Sequence, residues 1–233
     1  MNYQDLNLPS SLKVTLIILF SIGLIAFSGI QDAVAQTSDS TKSKEELEEL
    51  YWARQDSARM NFTKADVMFM TGMIAHHAQA LIMSRLAPEN NASPSVQTLA
   101  SRIINAQKDE INTMQRWLRL RDQPVPKVEI DGLKLNITGV DRKMDHTTMM
   151  GMLSPKEMKE LSQAKGKEFD RLFLKYMIFH HSGAVKMVTK LFNTDGSAQG
   201  DAAFKLASDI QVDQRTEIDR MQRMLDNIKS EEQ

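Results

Sequence analysis

One helical segment occurs twice in this chain. Asp66 to Met83 reads DVMFMTGMIAHHAQALIM, and Asp170 to Met187 reads DRLFLKYMIFHHSGAVKM. Eight positions agree at a constant offset of 104: Asp66/Asp170, Phe69/Phe173, Met73/Met177, Ile74/Ile178, His76/His180, His77/His181, Ala80/Ala184 and Met83/Met187. Four of the chain's five histidines lie in these copies. A repeat of this length implies two similar supersecondary units, which narrows the fold before any other feature is considered.

On a helix of about 100° per residue, Asp66, Phe69, Met70, Met73, His76, His77, Ala80 and Met83 share one broad face. His76 and His77 stand three and four residues past Met73, so both can share a site with it. Met83 is seven residues past His76, about 10 Å along the axis, which is too far for the same ion unless a side chain stretches. A methionine stripe at this spacing is ordinary core filler. A His pair framed by Met and repeated in phase is harder to explain as packing, because buried imidazoles need partners. The His pairs are therefore expected to bind metal.

A second repeat follows each copy. Gln107, Glu110, Ile111, Met114, Gln115, Arg116 and Leu118 recur as Gln214, Glu217, Ile218, Met221, Gln222, Arg223 and Leu225. Each half is thus a helical hairpin, and two hairpins predict an all-α four-helix bundle. The expected organisation is a signal segment (1–35), a linker with an extra short helix (36–62), a first hairpin (63–123), a Met-rich linker (124–153) and a second hairpin (154–229). Thr63, Ser93-Pro94 and Ser154-Pro155 read as helix starts. One long helix is expected from Ser154 through His180-His181 to about Phe192, and the 124–138 region is expected to be irregular or weakly β-forming.

The N-terminus predicts export. Lys13 precedes an uncharged apolar run, and Ala33-Val34-Ala35 is a small-x-small cleavage site, with cleavage expected after Ala35. An uncleaved anchor is the alternative, and it would be the chain's one contact with a membrane. Either way the remainder is expected to be periplasmic or otherwise exported. The net charge of −1 gives no nucleic-acid signal. There is no cysteine, which removes disulfides, thiolate zinc sites and blue-copper centres.

The donor set points to copper. Thioether sulfur is soft and imidazole borderline, a pairing that suits Cu(I). Di-iron bundles place Glu three residues before His. Here that position is Met73 or Met177. The pattern leaves Ni(II) and Zn(II) open at the His pairs. Met144, Asp145, His146, Met149, Met150 and Met152 form either a third site or acquiring arm, or a hydrophobic flap. Met114 and Met221 either ligate or pack. Glu110 and Glu217 either orient the imidazoles or pair with Arg and Lys on a solvated face, and the second reading is the plainer one. No nucleophile or acid–base set repeats with the histidines, so no enzymatic activity is expected. The alternative function is a metal-free structural or pH-responsive bundle.

The M-x-x-H-H-x-x-A-x-x-M helix followed by Q-x-x-E-I-x-x-M resembles the domain-of-unknown-function family numbered 305, as two copies within about 66–120 and 151–225. The resemblance implies a ferritin-like four-helix bundle. It also implies copper binding outside the cytoplasm and a contribution to copper resistance, with copper ions as the cargo and a copper exporter or another periplasmic copper carrier as partner. Met73, His76, His77, Met83, Met177, His180, His181 and Met187 carry over as candidate ligands.

Overall fold

A computed structural model describes residues 43–140 and 146–230; the expected signal segment and Met144 lie outside the described residues. The helices are α1 (Lys44–Met60), α2 (Lys64–Glu89), α3 (Pro94–Arg119), α4 (Pro155–Gln163), α5 (Gly166–Phe192) and α6 (Asp201–Ser230). A small antiparallel hairpin, β1 (Lys127–Asp131) and β2 (Lys134–Thr138), joins the two halves, with Val128 opposite Ile137 and Ile130 opposite Leu135. Among the described residues the fold is all-α apart from this hairpin. Among the described residues no helix is long and apolar enough to cross a membrane.

Local signals set most helix starts. Thr63 caps α2 in a reciprocal box with Asp66, Ser93 caps α3 with Pro94 behind it, and Ser154 caps α4 in a box with Glu157. The two repeat aspartates also reach across the molecule. Asp66 Oδ1 accepts the Ala198 N–H at 2.7 Å, in the loop between α5 and α6. Asp170 accepts the Ser93 N–H at 3.1 and 3.2 Å, in the loop between α2 and α3. Each hairpin's first helix therefore satisfies a backbone donor in the other hairpin's turn.

The expected single helix from Ser154 to Phe192 is two helices. The chain leaves α4 at Ala164 and Lys165, both extended, and re-enters a helix at Gly166, whose φ of +54 lies in the left-handed region that glycine tolerates. The break is held by Asn90. Its side-chain amide donates to the Leu161 and Ser162 carbonyls, its carbonyl accepts the Gly166 N–H at 2.8 Å, and its Oδ1 accepts from Lys165 Nζ at 2.7 Å. The orphan carbonyls at the end of α4 are thus paired by a residue from the α2–α3 turn. The expected weak β tendency is realised as β1–β2, whose Ile130 and Leu135 pack on the core.

The helices pack in the order α3, α2, α5, α6. From Phe69 to Ser84 every residue of α2 is buried, so α2 is enclosed on all sides rather than along one stripe. The apolar core falls into two clusters. One gathers Met83, Leu99, Ile103, Phe169, Phe173, Met177 and Met221. The other gathers Met70, Met73, Ile111, Met114, Val188, Ala207 and Ile210. Along α2 most of the second cluster precedes His76 and the first follows it. Along α5 the order reverses around His180, because α2 and α5 run antiparallel. The same switch occurs at Gln107 on α3 and Gln214 on α6. A polar layer therefore divides the core at mid-height.

Candidate metal centre

The layer is built from both repeats. His76, His77, His180 and His181 are each fully buried, at 0% exposure, and Gln107 and Gln214 are buried beside them in sequence phase. The His76 and His180 rings face each other with centroids 3.8 Å apart. Neighbouring rings on one helix are farther apart: 6.3 Å for His76 and His77, and 6.1 Å for His180 and His181.

All four Nε2 atoms have an oxygen in reach. His76 Nε2 lies 3.1 Å from the Met150 carbonyl, and His180 Nε2 lies 3.1 Å from the His76 carbonyl. His181 Nε2 and Glu217 Oε2 are 2.6 Å apart, and so are His77 Nε2 and Glu110 Oε2, the latter pair less well aligned for a hydrogen bond. Carbonyls and carboxylates only accept, so a neutral imidazole here carries its proton on Nε2. That leaves Nδ1 as the lone-pair nitrogen, and all four Nδ1 atoms are buried without a partner. Both polar atoms of the Gln107 amide and Gln214 Oε1 are unpartnered as well. Such a concentration of orphaned buried polar atoms calls for an explanation by water or an ion.

The electrostatics keep the central pair neutral. Burial, then the nearness of His77, holds His76 down at about 3. Burial, then His76 itself, holds His180 well below the ordinary histidine value. Asp213, on α6, is pushed up by burial and then by the negative charge of Glu110 and Glu217. The two glutamates therefore lie in one acidic neighbourhood behind the outer histidines. The plainer expectation, that Glu110 and Glu217 sit on a solvated face paired with Arg or Lys, is overturned: each faces an imidazole. The recurrence of Glu110 as Glu217 after each His pair was a signal, but a cross-helix distance is not readable from one helix's phase.

Met73 and Met177, one turn before the inner histidines, are fully buried, Met73 in one core cluster and Met177 in the other. Met83 and Met221 are enclosed by the Phe169/Phe173 cluster and Met114 by the Trp117/Leu118 cluster, each at 0% exposure. Met187 and Met150 are partly exposed and line a surface groove. His146 opens a short 3-10 turn, His146–Thr148, and its side chain, like Met144, lies outside the described residues. Among the described residues no three His, Asp or Glu side chains form a ready-made metal cage. A borderline or soft cation at this layer would meet unpartnered imidazole Nδ1 lone pairs, a donor type that suits such ions.

A strap from Met149 to Ser154 crosses this level. Besides the Met150 carbonyl on His76, the Gln79 side chain grips the strap twice, donating to the Leu153 carbonyl at 3.0 Å and accepting the Leu153 N–H at 2.7 Å. The strap lies directly on α5. A Cβ on Gly183 would come within 2.5 Å of Gly151 Cα, and one on Gly151 within 2.7 Å of Gly183 Cα. Neither Gln79 nor Gly183 was singled out from the sequence, since a lone Gly inside a helical pattern has no local signature of close approach.

The model of the DUF305 family, a domain of unknown function, matches residues 66–225. The chain belongs to this family. The match is one span that takes in both hairpins. Solved DUF305 structures share the fold. A fragment from Deinococcus radiodurans is 30% identical with a TM-score of 0.58, over 71% of this chain and 98% of that one. A Streptomyces coelicolor DUF305 protein, assigned as secreted, is 27% identical with a TM-score of 0.59, over 70% of this chain and 93% of that one. CopM in its Cu(II)-bound form is 29% identical with a TM-score of 0.52, over 70% of this chain and 96% of CopM. CopM has also been solved with Cu(I) bound. No curated protein matches the chain.

Proposed function

We propose that this chain is an exported, non-enzymatic copper-binding protein that sequesters or shuttles copper, chiefly as Cu(I), and so contributes to copper homeostasis or resistance. The observation that carries the reading is the mid-height polar layer. Four buried imidazoles, each with an oxygen near Nε2 and with Nδ1 unpartnered, sit between two apolar clusters. Burying so many polar atoms without partners costs roughly 1–3 kcal/mol each, which a stability role alone does not repay. A soft cation would use the free lone pairs. Similarity to CopM, solved with Cu(I) and with Cu(II), supports copper as that cation.

In this reading the inner pair, His76 and His180, supplies nitrogen donors from both hairpins, and Met73 and Met177 supply the soft sulfur. Glu110 and Glu217 hold the Nε2–H of His77 and His181, fixing ring orientation and raising basicity at Nδ1. The apolar segment preceding Ala35 and the likeness to a protein assigned as secreted support export; a copper exporter or another periplasmic copper carrier is the delivery partner this reading proposes.

Copper-edge X-ray absorption of the Cu(I)-loaded protein tests this. The expected first shell mixes nitrogen and sulfur, with imidazole scattering that is lost in His76→Ala/His180→Ala. An oxygen-dominated shell, unchanged in that variant, contradicts it.

A further inference from the structure

An open groove of about 480 Å³ lies on the surface where α2, α5 and the strap meet. Its most frequent lining residue is methionine: Met68, Met149, Met150 and Met187. Two of these converge over a missing side chain. A Cβ on Gly72 would lie 2.9 Å from the Met149 methyl and 3.6 Å from the Met187 methyl. The absent Cβ is what lets a thioether from the strap and one from α5 approach each other across α2. Met68, one turn earlier on α2, is 52% exposed and Met150 is 42% exposed. Exposed apolar residues of this size usually serve a contact or a ligand when they gather in one place. No carboxylate lines the groove, and Lys190 stands at its rim. Hard divalent cations are disfavoured by that composition, whereas neutral thioethers retain affinity for soft ions.

The groove is also connected to the polar layer. Met150 lines it with its side chain, while its carbonyl faces His76 Nε2 at 3.1 Å. Gly72, which floors it, is one helical turn before His76.

We propose that this groove is a separate thioether site for a soft d10 monocation, formed by Met68, Met149, Met150 and Met187, and that it is where such an ion is taken up before it reaches the buried histidines. Binding in the groove stands on its own geometry; only its role as the point of entry rests on the copper reading of the layer.

The test is a titration with Ag(I), an air-stable d10 probe, followed by NMR of ¹³C-methyl-labelled methionines. The full exported chain is used, together with Met68→Leu/Met149→Leu/Met187→Leu and, separately, His76→Ala/His180→Ala. Leucine keeps the apolar volume and removes the sulfur, so folding is retained. The methyls of the four groove methionines should shift in the first equivalent, before those of Met73 and Met177. The leucine variant should lose one equivalent and load the buried site at least tenfold more slowly in stopped-flow. In the histidine variant the groove shifts should persist. Groove methyls that stay unmoved while Ag(I) binds elsewhere, or a leucine variant with parental stoichiometry and loading rate, would overturn the proposal. Groove shifts with a silent histidine layer would instead sink the copper reading of the layer and leave the groove site standing.

Discussion

The His180 ring lies 3.8 Å from the His76 ring, centre to centre, and its Nε2 points to the His76 carbonyl at 3.1 Å. Two residues 104 positions apart in the chain thus meet through their equivalent places on antiparallel helices. The contact joins the hairpins at the layer that divides the core. It puts two uncharged bases where apolar side chains would pack with less cost.

The first prediction concerns acid. His76 is held at about 3 in the folded state against an ordinary value near 6.5. Between those values the unfolded chain binds a proton that the folded chain does not. Stability therefore rises with pH through this window and is level above it. His180 acts in the same direction. The metal-free protein should lose stability as pH falls below 6.5, by about 1.4 kcal/mol per pH unit for each such proton. Urea denaturation at pH 7.5, 6 and 5 measures it, and Cu(I) loading should move the onset to lower pH.

The outer pairs predict a split between stability and affinity. Glu110→Gln and Glu217→Gln keep shape but remove the charge facing His77 and His181. Partners of this kind typically tune metal affinity by 10–100-fold. Each variant should weaken Cu(I) binding by that order, with a change in urea midpoint far smaller than a core truncation gives. Chelator competition and denaturation on the same samples check both halves.

Gly183 predicts a large effect from one methyl. A Cβ there would meet the Met150 carbonyl and Gly151 Cα, both strap backbone. Gly183→Ala should destabilise by about 1–3 kcal/mol, as overpacking does. It should also expose the strap to limited proteolysis, because the strap must lift. A melting temperature and cleavage pattern matching the parent would mean the strap does not rest on α5.

The reciprocal aspartates predict losses at both ends, the larger at Asp66, which also accepts from Thr63 in the α2 capping box. Asp66→Ala leaves the Ala198 N–H, and Asp170→Ala the Ser93 N–H, without an acceptor. Each should cost about 1–3 kcal/mol. Thermal denaturation of the single variants checks this.

Much of the fold is legible because its signals are local. Thr63/Asp66, Ser93-Pro94 and Ser154/Glu157 announce helix starts within four residues. The two hairpins follow from a repeat that any alignment of the chain with itself reveals. The break between α4 and α5 was not legible. Gly166 hints at it, but the interactions that hold it come from Asn90, 76 residues earlier. The histidines were readable as repeated pairs on one helix face, and Met73 and Met177 as their neighbours in phase. That Glu110 and Glu217 face His77 and His181 was open as one of two readings, and the sequence did not decide it, since the glutamates lie on other helices and their facing is a product of packing. The groove methionines Met68 and Met149 were likewise invisible as a pair with Met187, because what brings them together is the missing side chain at Gly72.

The central claim is that the buried layer binds copper, and the most direct measurement is competition for Cu(I) against a chromophoric chelator. The parent should be compared with His76→Ala/His77→Ala and His180→Ala/His181→Ala. The account predicts that the parent strips copper from the chelator and that both variants lose at least tenfold in affinity, because the site draws on both hairpins. A parent that fails to compete, with variants indistinguishable from it, would contradict the account and favour a metal-free bundle whose histidines respond only to pH.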